Sequence, residues 1–154
     1  MKRIALVGMP NTGKSTLFNR LTGAHAKVGN WPGVTVHLLA AKIFLGGSMV
    51  ELVDLPGIYD LHDEHAEDEH VVMQFLKQQP IDLILLVLNA GQIQRQMRLF
   101  TQIAALGHPV VLVLNMQDEA RKLGIDIDHS KLAKQLGLPV LLLSAKYGQG
   151  LEQL

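Results

Sequence analysis

Short aliphatic runs recur along the chain with polar stretches between them: Ile4 to Val7, Val50 to Leu55, Ile81 to Leu88, Val110 to Leu114 and Val140 to Leu143. Runs that are continuous rather than alternating suit strands covered on both faces, so they predict a mainly parallel sheet flanked by helices. Between them, Lys14 to Leu21, about Glu67 to Lys77, about Gln94 to Leu106 and His129 to Leu136 carry apolar residues at helical spacing. Val36 to Phe44 and Met49 to Leu55 flank Gly46-Gly47 and read as an antiparallel hairpin. The expected architecture is one three-layer α/β domain over residues 1–154, with six strands, mostly parallel, and one antiparallel edge hairpin. Gly150 to Leu154 looks like the first turn of a further helix, so the domain is expected to stop within or before its last helix, with no second domain.

Composition narrows the function classes. A chain of 154 residues has room for a single core, and 48% hydrophobic against 5% aromatic content makes that core aliphatic. Fourteen Lys+Arg balance fourteen Asp+Glu, which argues against a nucleic-acid partner gripped through its phosphates. The lack of cysteine removes disulfide scaffolds, thiol catalysis and Cys-ligated zinc. The longest aliphatic run, Leu83 to Leu88, is far short of the roughly 20 residues a membrane-spanning helix needs, so the fragment is expected to be soluble. No signal-peptide cleavage pattern follows the first residues.

The chemistry is carried by four short motifs. Gly8-Met9-Pro10-Asn11-Thr12-Gly13-Lys14-Ser15 follows the first strand, runs on into Thr16 and opens a helix. That is the context in which glycine-freed N–H groups and a helix N-terminus cradle phosphates, Lys14 spans the β- and γ-phosphates, and the Ser15 hydroxyl ligates Mg²⁺. Asp54-Leu55-Pro56-Gly57 ends a strand, where the Asp can hold Mg²⁺ through water and the Gly57 N–H can meet a γ-phosphate. Asn115-Met116-Gln117-Asp118 matches the Asn-Lys-x-Asp guanine motif except at Met116. Asp118 can accept from both N1–H and the 2-amino group of guanine, donors that adenine lacks, and Met116 can lay an apolar side chain over the base. Ser144-Ala145-Lys146 completes that pocket, with the Ala145 N–H expected to face the guanine O6. Thr35, within Gly33-Val34-Thr35-Val36-His37, is the candidate for the switch that senses the γ-phosphate and adds a hydroxyl to Mg²⁺. Trp31, the single tryptophan, reads either as part of a mobile lid or as a partner contact.

The run from Gly8 through Asn19, together with Asn30-Trp-Pro-Gly-Val-Thr-Val36, Asp54-Leu-Pro-Gly-Ile-Tyr59 and Asn115-Met-Gln-Asp-Glu-Ala120, resembles the N-terminal G domain of ferrous iron transport protein B over essentially the whole chain. The resemblance implies a P-loop fold of the small G-protein type. It also implies a slow, K⁺-stimulated GTPase forming the cytoplasmic head of an Fe²⁺ transporter of the bacterial inner membrane. A helical domain that stabilises GDP and a membrane region would follow as partners, and the switch face could support a homo-oligomer. Ras-like enzymes have a glutamine after Asp-x-x-Gly, where this chain has Ile58, and neither Arg3 nor Arg20 offers an evident arginine finger. The missing charge is then implied to be K⁺, held by Asn11 and by backbone from about Gly29 to Trp31. Asn11, Lys14, Thr35 and Gly57 form the expected catalytic set.

Two departures stand out. Asn89-Ala90-Gly91 replaces the family's frequent Asp-Ala-Thr, and Asp60 to His70 is unusually rich in His and acid. His62, His65 and His70 there could ligate a divalent ion, though a solvated acidic loop leading into an amphipathic helix is the expectation. Two other function classes stay open: a ribosome-assembly GTPase of the Era or Der type, and a nucleotide-dependent binding switch with negligible turnover.

Overall fold

A computed structural model describes residues 1–23, 26–31, 34, 36–45, 47–62 and 66–145. In chain order the elements are β1 (Lys2–Gly8), α1 (Lys14–Thr22), β2 (Lys27–Gly29), β3 (Leu38–Leu45), β4 (Ser48–Asp54), α2 (Glu67–Gln78), β5 (Leu83–Asn89), α3 (Ile93–Ala104), β6 (Val110–Asn115), α4 (Gln117–Lys122), α5 (His129–Leu136) and β7 (Val140–Leu142). A 3₁₀ turn, Ala90–Gln92, leads from β5 into α3. The strands form one sheet in the order β2-β3-β4-β1-β5-β6-β7. β1 runs parallel to β4 and β5, and β6 and β7 continue that direction. Only the edge differs, where β3 is antiparallel to both β4 and β2.

The expected α/β class and hairpin are therefore present, with Leu45 opposite Ser48 across the Gly46-Gly47 connection and Gly47 at φ +81°. The sheet has a seventh strand that periodicity could not show. β2 is three residues long and carries no buried side chain, so its pairing rests on backbone hydrogen bonds alone. The short helix α4 was equally invisible, because only Ala120 in it is buried. The further turn expected at Gly150 to Leu154 lies outside the described residues.

The continuous apolar runs are explained by two cores, one on each face. From β1, Ala5 and Val7 pack with Val53, Phe75, Leu86 and Leu99 on the side of α2 and α3. Ile4 and Leu6 pack with Leu17, Phe18, Leu52 and Leu85 on the side of α1. Helix ends follow the usual chemistry. Glu67, Asp68 and Glu69 sit in the first turn of α2 and Lys77 in its last, each where the helix dipole favours its charge. α5 is capped by Asp128 Oδ1, which accepts from the Lys131 N–H at 3.0 Å, and closes on Gly137 in the left-handed region. Because β1 is central and the crossovers leave it in opposite directions, its carboxyl end is the topological switch point where such sheets bind ligands.

Candidate functional site

The turn after β1 is built to keep backbone close to backbone. A side chain at Gly8 would meet the Val87 carbonyl oxygen 2.6 Å away, and Gly13, at φ +78°, sits against the Asn115 side-chain amide. Asn11 also has positive φ, +65°, a conformation Asn tolerates better than most residues. Thr12 is fully buried and its hydroxyl donates to the Met9 carbonyl at 2.9 Å, closing the loop on itself. Helix α1 then opens directly on Lys14 with no side-chain cap, so its first N–H groups face outward.

Lys14 is only 7% exposed, and its ammonium donates to the Asp54 carboxylate and, at 2.6 Å, to the Leu55 carbonyl. The first and second motifs thus converge on one point. The Leu55 N–H donates to the Leu6 carbonyl at 3.1 Å and the Ile58 N–H to the Gly8 carbonyl at 3.0 Å. Pro56 and Gly57 are held between these anchors, and Gly57 lies against Pro10 so closely that a Cβ would come within 3.1 Å of it. A cavity of about 400 Å³ is lined by Met9, Pro10, Asn11, Gly13 to Thr16, Gly57 and Asp68. Asp68, in the first turn of α2, was not among the expected site residues, since the sequence showed only an acid-rich stretch there.

A recess of about 100 Å³ adjoins it through Gly13 and Thr16 and is lined by Asn115, Met116, Asp118, Glu119 and Ser144. Its walls are braced by side chains. Asn115, at the end of β6 and 2% exposed, donates from Nδ2 to the Thr12 carbonyl and accepts at Oδ1 from the Ala145 N–H, both at 2.9 Å. The Ser144 hydroxyl donates to Asp118 Oδ1 at 2.9 Å, and the Gln117 N–H to the Leu143 carbonyl at 3.2 Å. Met116 takes φ +63° to start α4, which places Asp118 in the first turn of a helix rather than in a loop. The Ala145 N–H, expected to face a base, is directed instead at Asn115, because a buried donor and a buried acceptor meet there.

Other expected residues fall elsewhere. Gly33, Thr35 and Lys146 lie outside the described residues. Val34 and Val36 pack against the core, and His37 is exposed; none of them lines either cavity. Trp31 is half-buried against the protein itself, edge-on to Phe75 at 5.2 Å, with the Arg3 guanidinium 4.6 Å from its ring. Arg3 lies within β1 and pairs with Glu51 at 2.9 Å. Gly29, Asn30 and Trp31 line a separate hollow of about 460 Å³, so the backbone expected to serve K⁺ does not share the cavity of Asn11.

Asn89 is 8% exposed and accepts at Oδ1 from the Gly91 N–H at 2.8 Å, which makes the Asn89-Ala90-Gly91 departure a cap for the 3₁₀ turn. In the acid-rich segment His62 and His70 are exposed, and His65 lies outside the described residues. Among the described residues no group of three or more His, Cys, Asp or Glu side chains is arranged to hold a metal ion. The Asp60 carboxyl is held below the usual carboxylate range by the His62 N–H, then by the Gln102 side-chain amide, with a smaller contribution from Arg98.

Fold and site together define a P-loop α/β domain of the small G-protein type. Comparison with known proteins places it more closely: residues 2–154 match the family model of ferrous iron transport protein B, and the chain belongs to that family. The Fe(2+) transporter FeoB of Synechocystis sp. is 52% identical over 97% of this chain, which spans 24% of that protein's length. The G domain of the T. maritima FeoB iron transporter superposes with a TM-score of 0.88 at 38% identity, over 99% of this chain and 93% of the other. The T. maritima cytosolic domain in its GMPPNP form gives 0.91, also at 38% identity, with 99% of this chain and 60% of the other covered. Among the described residues no helix is long and apolar enough to cross a membrane.

Proposed function

We propose that this chain is a G domain over residues 1–154 that binds GTP and GDP, hydrolyses GTP slowly, and regulates an Fe²⁺ transporter from the cytoplasmic face of the bacterial inner membrane. The observation that carries this reading is that Lys14, which lines one cavity with Ser15 and Gly57, bonds the Asp54 carboxylate behind it, with the recess of Asp118 adjoining that cavity through Gly13. The GMPPNP form of the T. maritima relative supports the choice of nucleotide. Asp118, held by Ser144, would accept from guanine, and Met116 would cover the base. Lys14 would span the β- and γ-phosphates, and the Gly57 N–H would reach the γ-phosphate.

Hydroxyl and carboxylate oxygens are the donors Mg²⁺ prefers, and Ser15, Asp54 and Thr35 would hold it, neutralising phosphate charge. Ile58 is fully buried, so no side chain directly after Gly57 orients water. Positive charge near the β–γ bridge would come from K⁺ on the exposed side-chain carbonyl of Asn11. The helical and membrane domains of the complete transporter are the partners of this role, and the switch face is open to a second copy.

Phosphate release by the chain, followed in KCl and in NaCl, tests the reading. Turnover is expected in both salts and several-fold faster in KCl, with that difference lost in Asn11→Ala. Absence of any GTP turnover would overturn the enzymatic reading, and equal rates in the two salts the K⁺ assignment.

A further inference from the structure

The five residues after Gly57 are tied to three elements at once. The Ile58 N–H is held by the phosphate loop through the Gly8 carbonyl, and the Tyr59 N–H donates to the carboxylate of Glu69 on α2 at 3.2 Å. The third tie comes from α3, through Gln102. Its Oε1 accepts from the Leu61 N–H at 2.9 Å while its Nε2 donates to Asp60 Oδ1 at 2.7 Å. Asp60 also accepts from the His62 N–H at 2.9 Å and faces the Arg98 guanidinium at 3.3 Å.

One amide therefore grips two successive residues, which needs a donor and an acceptor on the same flat group. Among long side chains only Gln provides both in that geometry. The packing of α3 does not require it, because the buried stripe of that helix is Gln96, Leu99, Phe100 and Ile103. Leu61 is already anchored by its own side chain, 2% exposed in the core. What the clamp adds is direction. It fixes the chain that runs from Gly57 towards α2, whose first turn brings Asp68 to the phosphate cavity.

We propose that Gln102 is a positioning residue for the phosphate-side chemistry, holding the segment Ile58 to His62 so that Gly57 and the first turn of α2 keep their places in the cavity wall. The proposal rests on the GTP-hydrolysing reading above. It assigns α3 a part in turnover although none of its residues lines either nucleotide cavity.

A swap of polarity across the clamp tests it. Gln102→Glu keeps an acceptor for the Leu61 N–H but sets two carboxylates against each other. Asp60→Asn combined with Gln102→Glu restores the bond between positions 60 and 102 with the donor on the other side and keeps the acceptor for the Leu61 N–H, at the cost of the exposed His62 N–H contact, because Oδ1 of Asp60 serves both. Arg98, four residues before position 102 on the helix, remains close to the charge. Steady-state GTP hydrolysis is expected to show about a tenfold lower kcat in Gln102→Glu, with KM, GDP affinity and Tm close to wild type. The double variant is expected to recover most of that loss. Wild-type kcat in Gln102→Glu would overturn the proposal. So would a fall in kcat accompanied by equal losses in GDP affinity and Tm and not recovered by the swap. If the wild-type chain itself releases no phosphate from GTP, the hydrolytic reading fails first and the positioning role with it.

Discussion

The two ends of the cleft proposed to hold the nucleotide are held by different kinds of contact. At the end proposed for guanine, Asn115 is buried and stitches the ends of three segments together, from Thr12 in the phosphate loop to Ala145 after β7. At the phosphate end, Ile58 and Leu61 are buried, but the polar clamp on the segment after Gly57 lies at its rim: Asp60 and Gln102 are half-exposed, and Arg98 is exposed with 75% of its side chain accessible. Water can replace the second set of contacts and cannot reach the first. Buried bonds left unmade cost the full desolvation of each group, whereas exposed ones cost little. The base end is therefore expected to behave as a fixed template and the phosphate end as a segment that can be released and retaken, which is the division a γ-phosphate sensor needs.

The largest effect should come from the template. Asp118→Ala removes two charge-assisted hydrogen bonds to guanine, each worth about 1.5–3 kcal/mol, so GDP affinity is expected to fall by on the order of 100-fold or more. ADP binding, weak to begin with, should not change. Calorimetric titration with both nucleotides checks this, and a variant that still prefers GDP to ADP by the wild-type margin would remove guanine recognition from the recess.

Asn115→Ala is next. It strands the Ala145 N–H and the Thr12 carbonyl in a buried place, at about 2–4 kcal/mol of folding stability. In a domain of this size that lowers Tm by roughly 5–15 °C. Gln102→Glu, at the other end, should leave Tm nearly unchanged. Similar losses in the two variants would erase the distinction between template and releasable segment.

This contrast also explains what could be seen before the structure. The template residues lie within short motifs, because strands ending at one edge of a parallel sheet deliver consecutive residues to the same place; Asn115 to Asp118 and Ser144-Ala145 were found on that ground. The parallel core was legible for a related reason, since Ile4 to Val7 alternate between two buried faces and so read as an unbroken apolar run. The clamp was not legible. Gln102 reaches Asp60 across 42 positions of sequence, and nothing in a polar residue on an amphipathic helix reports its distant partner. The Ala145 N–H was assigned to the base for a similar reason, because motif spacing shows which groups come near one another but not which donor finds which acceptor. β2 and α4 escaped because they bury almost nothing, and burial is what periodicity detects.

The smallest expected effect concerns charge at the phosphate end. Asp60 has its folded pKa below its ordinary value of 3.8, chiefly through the His62 N–H, then Gln102, with Arg98 contributing less. A depressed carboxyl favours the folded state in its ionised form. Its contribution is therefore complete above the unfolded value and is lost as pH falls through the folded one. Asp60→Asn keeps the oxygen that accepts from His62 and Gln102 but cannot ionise. Tm measured from pH 6 down to pH 3 should show wild type ahead of Asp60→Asn at the upper end and the gap closing below about pH 4. A gap that stays constant over the whole range would mean that the ionised form of Asp60 adds nothing to the clamp. The amide of Gln102 alone would then hold the segment, and the Arg98 pair would be an exposed contact without energetic consequence.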